Sequence, residues 1–229
     1  MTDKDEKMLK DDRLKTLCEA VRGGVTVCDV GTDHAYVPIE LILSGKTPRC
    51  IITDISAPSL EKGVNNAKIA GCGEKITAYC TSGTLGVAFD GETDIVIAGM
   101  GGELIAQIIE QDARLKAPSF RFVLQPMSKA EELRCYLAEN GFEMTDEVKT
   151  ESGGRIYAVI SCKYSRTPYS LTERQQLLGS FERKDDPLEK GYSDRVLSAL
   201  KIRLKGLENA ENRNEAEILR LKEQIDSIH

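Results

Sequence analysis

Two acids and a histidine stand close together in the run V-T-V-C-D-V-G-T-D-H-A-Y-V-P, which spans Val25 to Pro38: Asp29, Asp33 and His34. A carboxylate beside a histidine can take or hold a proton, and a carboxylate can also face a cation. Gly31 lies between the acids, and only glycine lets the backbone turn so tightly and pass so close to a ligand. β-branched residues precede the turn, and Pro38 can open a helix after it. Strand, turn and helix start form the frame around which α/β proteins bind nucleotide-type cofactors. The dinucleotide fingerprint would place further glycines where Asp33 and Ala35 stand.

That departure bears on the ligand. A pyrophosphate needs bare backbone amides, whereas Asp29 and Asp33 would repel it by about 1 kcal/mol or more once desolvated. S-adenosylmethionine carries no phosphate and bears an ammonium and a sulfonium, which two carboxylates suit. Asp54 ends the next apolar run about 20 residues on, where an acid accepts hydrogen bonds from ribose hydroxyls; taken alone, it would serve equally as a helix cap. Ile55 follows it in the same strand end. Ser82-Gly83 lies where an adenine ring and its amino group would be held, although Ser-Gly is also a plain turn signal. Gly99-Met100-Gly101-Gly102 can bring backbone against a flat ligand, or can be a tight packing turn. Gln125-Pro126 closes a further strand. His34 and Asp33 are the candidate catalytic pair, and charge in place of glycine in so tight a turn suggests use.

These residues need a scaffold. Helical spacing predicts a lead-in helix over residues 1–21, with Leu9, Leu14, Leu17, Cys18 and Val21 on one side. Strands are expected at Val25–Val30, Cys50–Asp54, Ile76–Cys80, Asp94–Ala98 and Phe120–Gln125. Helices lie between them, one opened by Ser56-Ala57-Pro58 and one by the capping box Ser128-x-x-Glu131. Phe142–Lys149 and Arg155–Lys163, separated by Ser152-Gly153-Gly154, read as an antiparallel hairpin. The whole is a doubly wound α/β sheet with a closing hairpin, and every candidate above falls at the carboxyl end of a strand, where such sheets bind ligands.

After about residue 165 the texture changes. Thr172-x-x-Gln175 caps a helix expected to run to about Arg183. Asp186-Pro187 opens a long one with Leu188, Tyr192, Val196, Leu200, Leu204 and Leu207 on a stripe. Ile218, Leu221, Ile225 and Ile228 follow beyond a polar stretch, which suggests a helical hairpin of coiled-coil type. The expected division is therefore residues 1–165 as a ligand-binding domain and 166–229 as a helical extension. Net charge is −6 over 229 residues, against a protein that coats nucleic acid indiscriminately, yet Lys190, Arg195, Lys201, Arg203 and Lys205 cluster late in the chain. The seven cysteines include no C-x-x-C pair, so reduced thiols are expected, with neither disulfides nor a metal site. No apolar run is long enough for a membrane span and the charged start is no signal segment, so a cytoplasmic location is expected.

D-V-G-T-D-H-A-Y-V-P, the T-D-I strand end, I-A-G-M-G-G and L-Q-P, with Arg13-Leu14 in the leading helix, resemble the bacterial tRNA (adenine-22-N1)-methyltransferase family, TrmK. The family pattern has an acid where Ser82 stands. The resemblance implies a class I, Rossmann-like methyltransferase fold and transfer of a methyl group from S-adenosylmethionine to N1 of a tRNA adenine. It implies that Asp29, Gly31, Asp33, His34, Asp54, Ile55, Ser82, Gly83, Gly99, Met100 and Gly101 hold the cofactor, and that Asp33 or His34 assists the chemistry. Arg13, Tyr36, Gly102, Gln125 and Pro126 would meet the substrate near the target base. Lys190, Arg195, Lys201, Arg203 and Lys205 would meet tRNA phosphates. A monomer is expected, with pairing through the terminal helices open. Two other readings compete: a methyltransferase of the same fold acting on another RNA or a small molecule, and a nonenzymatic RNA-binding or assembly protein.

Overall fold

The computed structural model describes residues 11–181, 183, 185–210 and 212–228. The part of the expected lead-in helix before residue 11, including Leu9, lies outside them. α1 (Asp12–Ala20) is capped by Asp11, whose carboxylate accepts from the Arg13 amide. β1 (Thr26–Val30), α2 (Tyr36–Leu43), β2 (Cys50–Asp54), α3 (Ala57–Ile69) and β3 (Ile76–Cys80) follow. Then come β4 (Thr93–Gly101), α4 (Gly102–Glu110), β5 (Phe120–Ser128), α5 (Ala130–Glu139), β6 (Phe142–Ser152) and β7 (Arg155–Tyr164). Among the described residues these strands form one seven-stranded sheet in the order β3-β2-β1-β4-β5-β7-β6. β1 to β5 are parallel, and β7 and β6 complete the edge antiparallel.

The central strands are apolar on both faces, as helix-covered parallel strands must be. Val27, Cys28, Ile95, Val96, Ile97, Phe122, Val123 and Leu124 are all buried. The order reverses at β1 and β4, and this switch point opens the crevice that receives a ligand. Five expectations change. β4 runs on through Gly101 and β5 through Ser128, because Met100 pairs with Pro126 and Gly101 with Ser128 across an irregular register. The glycines are thus a strand extension, with the helix starting only at Gly102. Ser128, held in the ladder, does not cap α5; Lys129 does so in a left-handed turn (φ 56°) without a side-chain bond. The hairpin strands extend to Ser152 and Tyr164, leaving Gly153-Gly154 as the turn. Cys80 is exposed, unlike buried Cys28, Cys50, Cys72 and Cys162.

Three helices complete the chain. α6 (Glu173–Leu178) carries the expected capping box of Thr172 and Gln175 but stops at Gly179, short of Arg183. α7 (Pro187–Glu208), capped by Asp186, and α8 (Glu215–Ile228) fold back on each other, joined by ion pairs Arg203–Glu217 at 2.5 Å and Glu208–Lys222 at 3.1 Å.

One buried cluster ties these helices to the sheet. Glu147 on β6 is fully buried and accepts from Arg134 Nε at 3.0 Å, from Arg134 Nη2 at 2.8 Å and from Lys149 Nζ at 2.5 Å. Arg134 also donates to the Gln176 and Leu177 carbonyls and the Tyr192 hydroxyl, and Lys149 to the Leu178 carbonyl. Gly179 ends α6 because a Cβ there would strike the Glu147 carboxylate at 2.6 Å. Burial pushes the Glu147 carboxyl up, but Arg134 and Lys149 outweigh it and hold it below the usual carboxylate range.

Removing the anion leaves two buried cations facing each other. Glu147→Ala is expected to cost about 3–5 kcal/mol in urea unfolding at pH 7. Since the folded carboxyl is depressed, the stability it supplies is present at neutral pH and fades as pH falls through the carboxylate range, which a pH series of unfolding curves checks.

Candidate functional site

The turn after β1 is pinned to β2: the amides of Gly31 and Thr32 both donate to the Thr53 carbonyl, at 2.8 and 3.0 Å. Gly31 is left-handed (φ 77°), and a Cβ there would collide with the Met100 side chain. That contact brings the β1 turn and the glycine-rich end of β4 onto one crevice. Positive φ falls on Gly31 and Ala35, not on Asp33, so the local strain expected at the acid sits two residues later. Gly63 on α3 permits it, since a Cβ there would press on Thr32 and Ala35 at 3.1 and 3.3 Å.

Asp29 ends β1 and accepts a hydrogen bond from the Thr32 hydroxyl. Burial, with Asp54 nearby, pushes its carboxyl up to about 6 despite that bond. Asp33 is exposed and faces His34 Nε2 at 3.1 Å and Lys62 Nζ at 3.6 Å. Asn66 on α3 donates to the His34 carbonyl at 3.1 Å, and its amide lies 3.4 Å from His34 Nδ1. The His34 ring stacks on Tyr36 at 5.1 Å and 8°.

The other predicted residues gather at the same end of the sheet. Asp54 accepts from the Ser56 amide at 2.6 Å, so one oxygen caps the turn into α3 and the other is left for a ligand. Ile55 is 77% exposed beside it, which is costly for isoleucine unless something covers it. Thr81 donates its amide to the Asp54 carbonyl, and Thr53 its hydroxyl to the Gly83 carbonyl, so Ser82 and Gly83 are held beside the end of β2.

Gln125 is fully buried. Its Oε1 accepts from Arg13 Nη1 at 3.0 Å and from the Gly99 amide at 3.2 Å, and its Nε2 donates to the Pro126 carbonyl at 3.1 Å. Its groups are engaged within the protein, so it is not free to meet a substrate as expected and instead holds Arg13 and Gly99 in place. Gly102 cannot carry a Cβ, which would strike the Lys129 carbonyl.

The late cations do not form one stripe. Arg195 and Arg203 line a groove of about 330 Å³ with Pro126, Met127 and Lys129, leading away from the crevice. Arg195 lies over the Tyr192 ring at 5.1 Å, and Arg203 is paired with Glu217. Lys190 lines a separate crevice with Arg183 and Glu189, while Lys201 and Lys205 line neither. The helical repeat explains this: residues 190, 201 and 205 share one side of α7 and residues 195 and 203 another. Sequence reasoning missed Thr32, Lys62, Asn66 and Lys129. The spacing of Lys62 and Asn66, one helical turn apart on α3, is the signal that could have found that pair. Among the described residues no group of three His, Cys, Asp or Glu is placed to hold a metal ion.

A model of the methyltransferase-domain family matches residues 10–160. The tRNA (adenine(22)-N(1))-methyltransferase of Bacillus subtilis is 34% identical over 149 residues, 65% of this chain and 62% of that enzyme, so the match spans less than two thirds of that relative. A Mycoplasma pneumoniae protein named as a candidate tRNA methyltransferase is 34% identical over 153 residues, 66% of this chain and 70% of its own. A Streptococcus pneumoniae protein solved in complex with S-adenosyl-L-methionine superposes with a TM-score of 0.79 at 29% identity, covering 94% of this chain and 96% of that one. Bacillus subtilis TrmK, at 22% identity and TM-score 0.79 over 95% of this chain and 96% of its own, shares the fold.

A carboxyl whose pKa is raised by folding destabilises the folded protein above that pKa, and the cost vanishes below the carboxyl's ordinary value. Asp29→Asn keeps an acceptor for Thr32 and removes that cost. Its thermal midpoint is expected to exceed the parent's at pH 8, with the difference closing as pH falls through about 6 towards 4.

Proposed function

We propose, for a chain that belongs to the bacterial tRNA (adenine-22-N1)-methyltransferase family, that it methylates N1 of the adenine at position 22 of tRNA with S-adenosylmethionine as cofactor. The observation that carries this is the β1 turn: a glycine close enough to touch Met100, flanked by Asp29 and Asp33, in a crevice without the glycine run a pyrophosphate needs. The residues fit the cofactor. Asp29 and Asp33 meet its positive end, the free oxygen of Asp54 takes ribose hydroxyls, Ile55 covers the base, and Gly99 to Gly101 line the opposite wall. When bound, S-adenosylmethionine supplies the methyl group, on a sulfonium that the N1 lone pair displaces in line.

The chain's own groups orient and neutralise. Methylation at N1 places positive charge on the adenine, which then sheds a proton from its amino group. Asp33 is the carboxylate that faces this charge and accepts the proton. Lys62 and His34 fix its two oxygens, and Asn66 fixes His34. Tyr36, stacked on His34, offers an aromatic face to a base turned out of its helix. Gln125 positions Gly99 and Arg13, and Arg13 meets a phosphate beside the target. Arg195, Arg203 and Lys129 take phosphates along the groove, and Lys190, Lys201 and Lys205 meet RNA more distantly. A monomer working on tRNA in the cytoplasm is part of this reading.

Incubation with methyl-labelled cofactor and unmodified tRNA, followed by mapping of the product, is expected to place the label on N1 of adenine 22; a label elsewhere overturns the reading. Asp54→Ala is expected to weaken cofactor binding about tenfold or more, and Asp33→Asn to lower turnover by more than it lowers cofactor affinity. Arg195→Ala with Arg203→Ala is expected to weaken tRNA binding and to flatten its salt dependence, with cofactor affinity unchanged in calorimetry.

A further inference from the structure

Ser82 presents a short, exposed hydroxyl in the loop that follows β3. The loop that carries it is held rigidly. Thr84 donates its hydroxyl to Asp112 Oδ2 at 2.6 Å, with both residues buried. Arg114 pairs with Asp112 at 2.7 Å and reaches back to the Thr84 and Val87 carbonyls at 2.7 and 2.9 Å. Residues 81–87 and 112–114 therefore move as one piece. Gln111, the residue between α4 and this clamp, projects onto the loop. Its Oε1 and Nε2 lie 3.4 and 3.3 Å from Ser82 Oγ. Its amide also lies over the bare Cα of Gly83, where a Cβ would come within 2.6 Å of Nε2. Gly83 is left-handed (φ 58°), so both the turn and the seat for Gln111 require glycine. Ser82 and Gln111 are exposed although the residues around them are clamped.

We propose that Gln111 reads the adenine of the cofactor, its carbonyl accepting from the exocyclic amino group in place of the acid that Ser82 replaces. A primary amide matches an adenine edge as donor and acceptor together, which a carboxylate cannot do. Ser82 Oγ orients the amide, and the Thr84–Asp112–Arg114 clamp sets its distance from Asp54 and Ile55. This rests on the methyltransferase reading above.

Calorimetric titration with S-adenosylhomocysteine and with its analogue lacking the purine 6-amino group tests the assignment. The parent protein is expected to prefer S-adenosylhomocysteine by about tenfold, the worth of one hydrogen bond. Gln111→Ala is expected to lose that factor for S-adenosylhomocysteine alone, so that the preference disappears. Gln111→Glu, which keeps the acceptor, is expected to retain it. A Gln111→Ala protein that keeps the preference, or that loses both ligands equally, overturns the role of Gln111 and leaves the methyltransferase reading standing. A parent protein that binds neither ligand overturns both.

Discussion

A carboxylate at the end of a central parallel strand faces two opposed demands. Asp29 is the penultimate residue of a strand that must be buried to hold the sheet together, and burial disfavours its charge. Thr32 returns one hydrogen bond, too little to restore an ordinary carboxyl. The acid is therefore a standing cost to the folded protein, of the kind found where a ligand supplies the missing counter-charge. Thr53 pins the turn that carries it, Gly31 turns the backbone aside, and Met100 brings the end of β4 against it. Much of the site is arranged around holding one acid in a place that disfavours its charge until a counter-charge arrives.

The opposite solution appears on the far side of the sheet. Glu147 is more deeply buried than half-buried Asp29, yet its charge is met by Arg134 and Lys149. That cluster joins α5, β6 and the terminal helices through backbone carbonyls, and Glu189 on α7 approaches Lys149 at 3.6 Å with its other oxygen buried and without a hydrogen-bond partner. Its role is to fix where α7 lies, and hence where Arg195 and Arg203 stand relative to Met127 and Lys129. The met acid belongs to architecture; the unmet one is the acid proposed to face the cofactor.

β1, β2 and β4 were legible because each is a largely apolar run ending at an acid or glycine, and the caps at Ser56, Thr172 and Asp186 were legible from their spacing. The ends of β4 and β5 were not, because glycine and proline read as turns when no partner strand is visible, whereas each strand extends the other. The length of α6 was missed because Gly179 stops it for a tertiary reason, the approach of Glu147. At the site, residues in one contiguous motif could be named from sequence. Asn66 and Lys62 were missed because their helical spacing gains meaning only once α3 packs against the β1 turn, and Lys129 because its place at the start of α5 follows from the extension of β5 through Ser128. The basic stripe failed as one face because it was read by composition and not by helical angle.

The claim that the β1 turn is built for a cation is tested most directly by proton release on cofactor binding, measured by calorimetry in buffers of different ionisation enthalpy. If S-adenosylmethionine faces Asp29, binding at pH 6 releases up to roughly half a proton and binding at pH 8 releases essentially none, with affinity rising between pH 5 and 7. Proton uptake at pH 6, or affinity that falls as pH rises over that range, would contradict it.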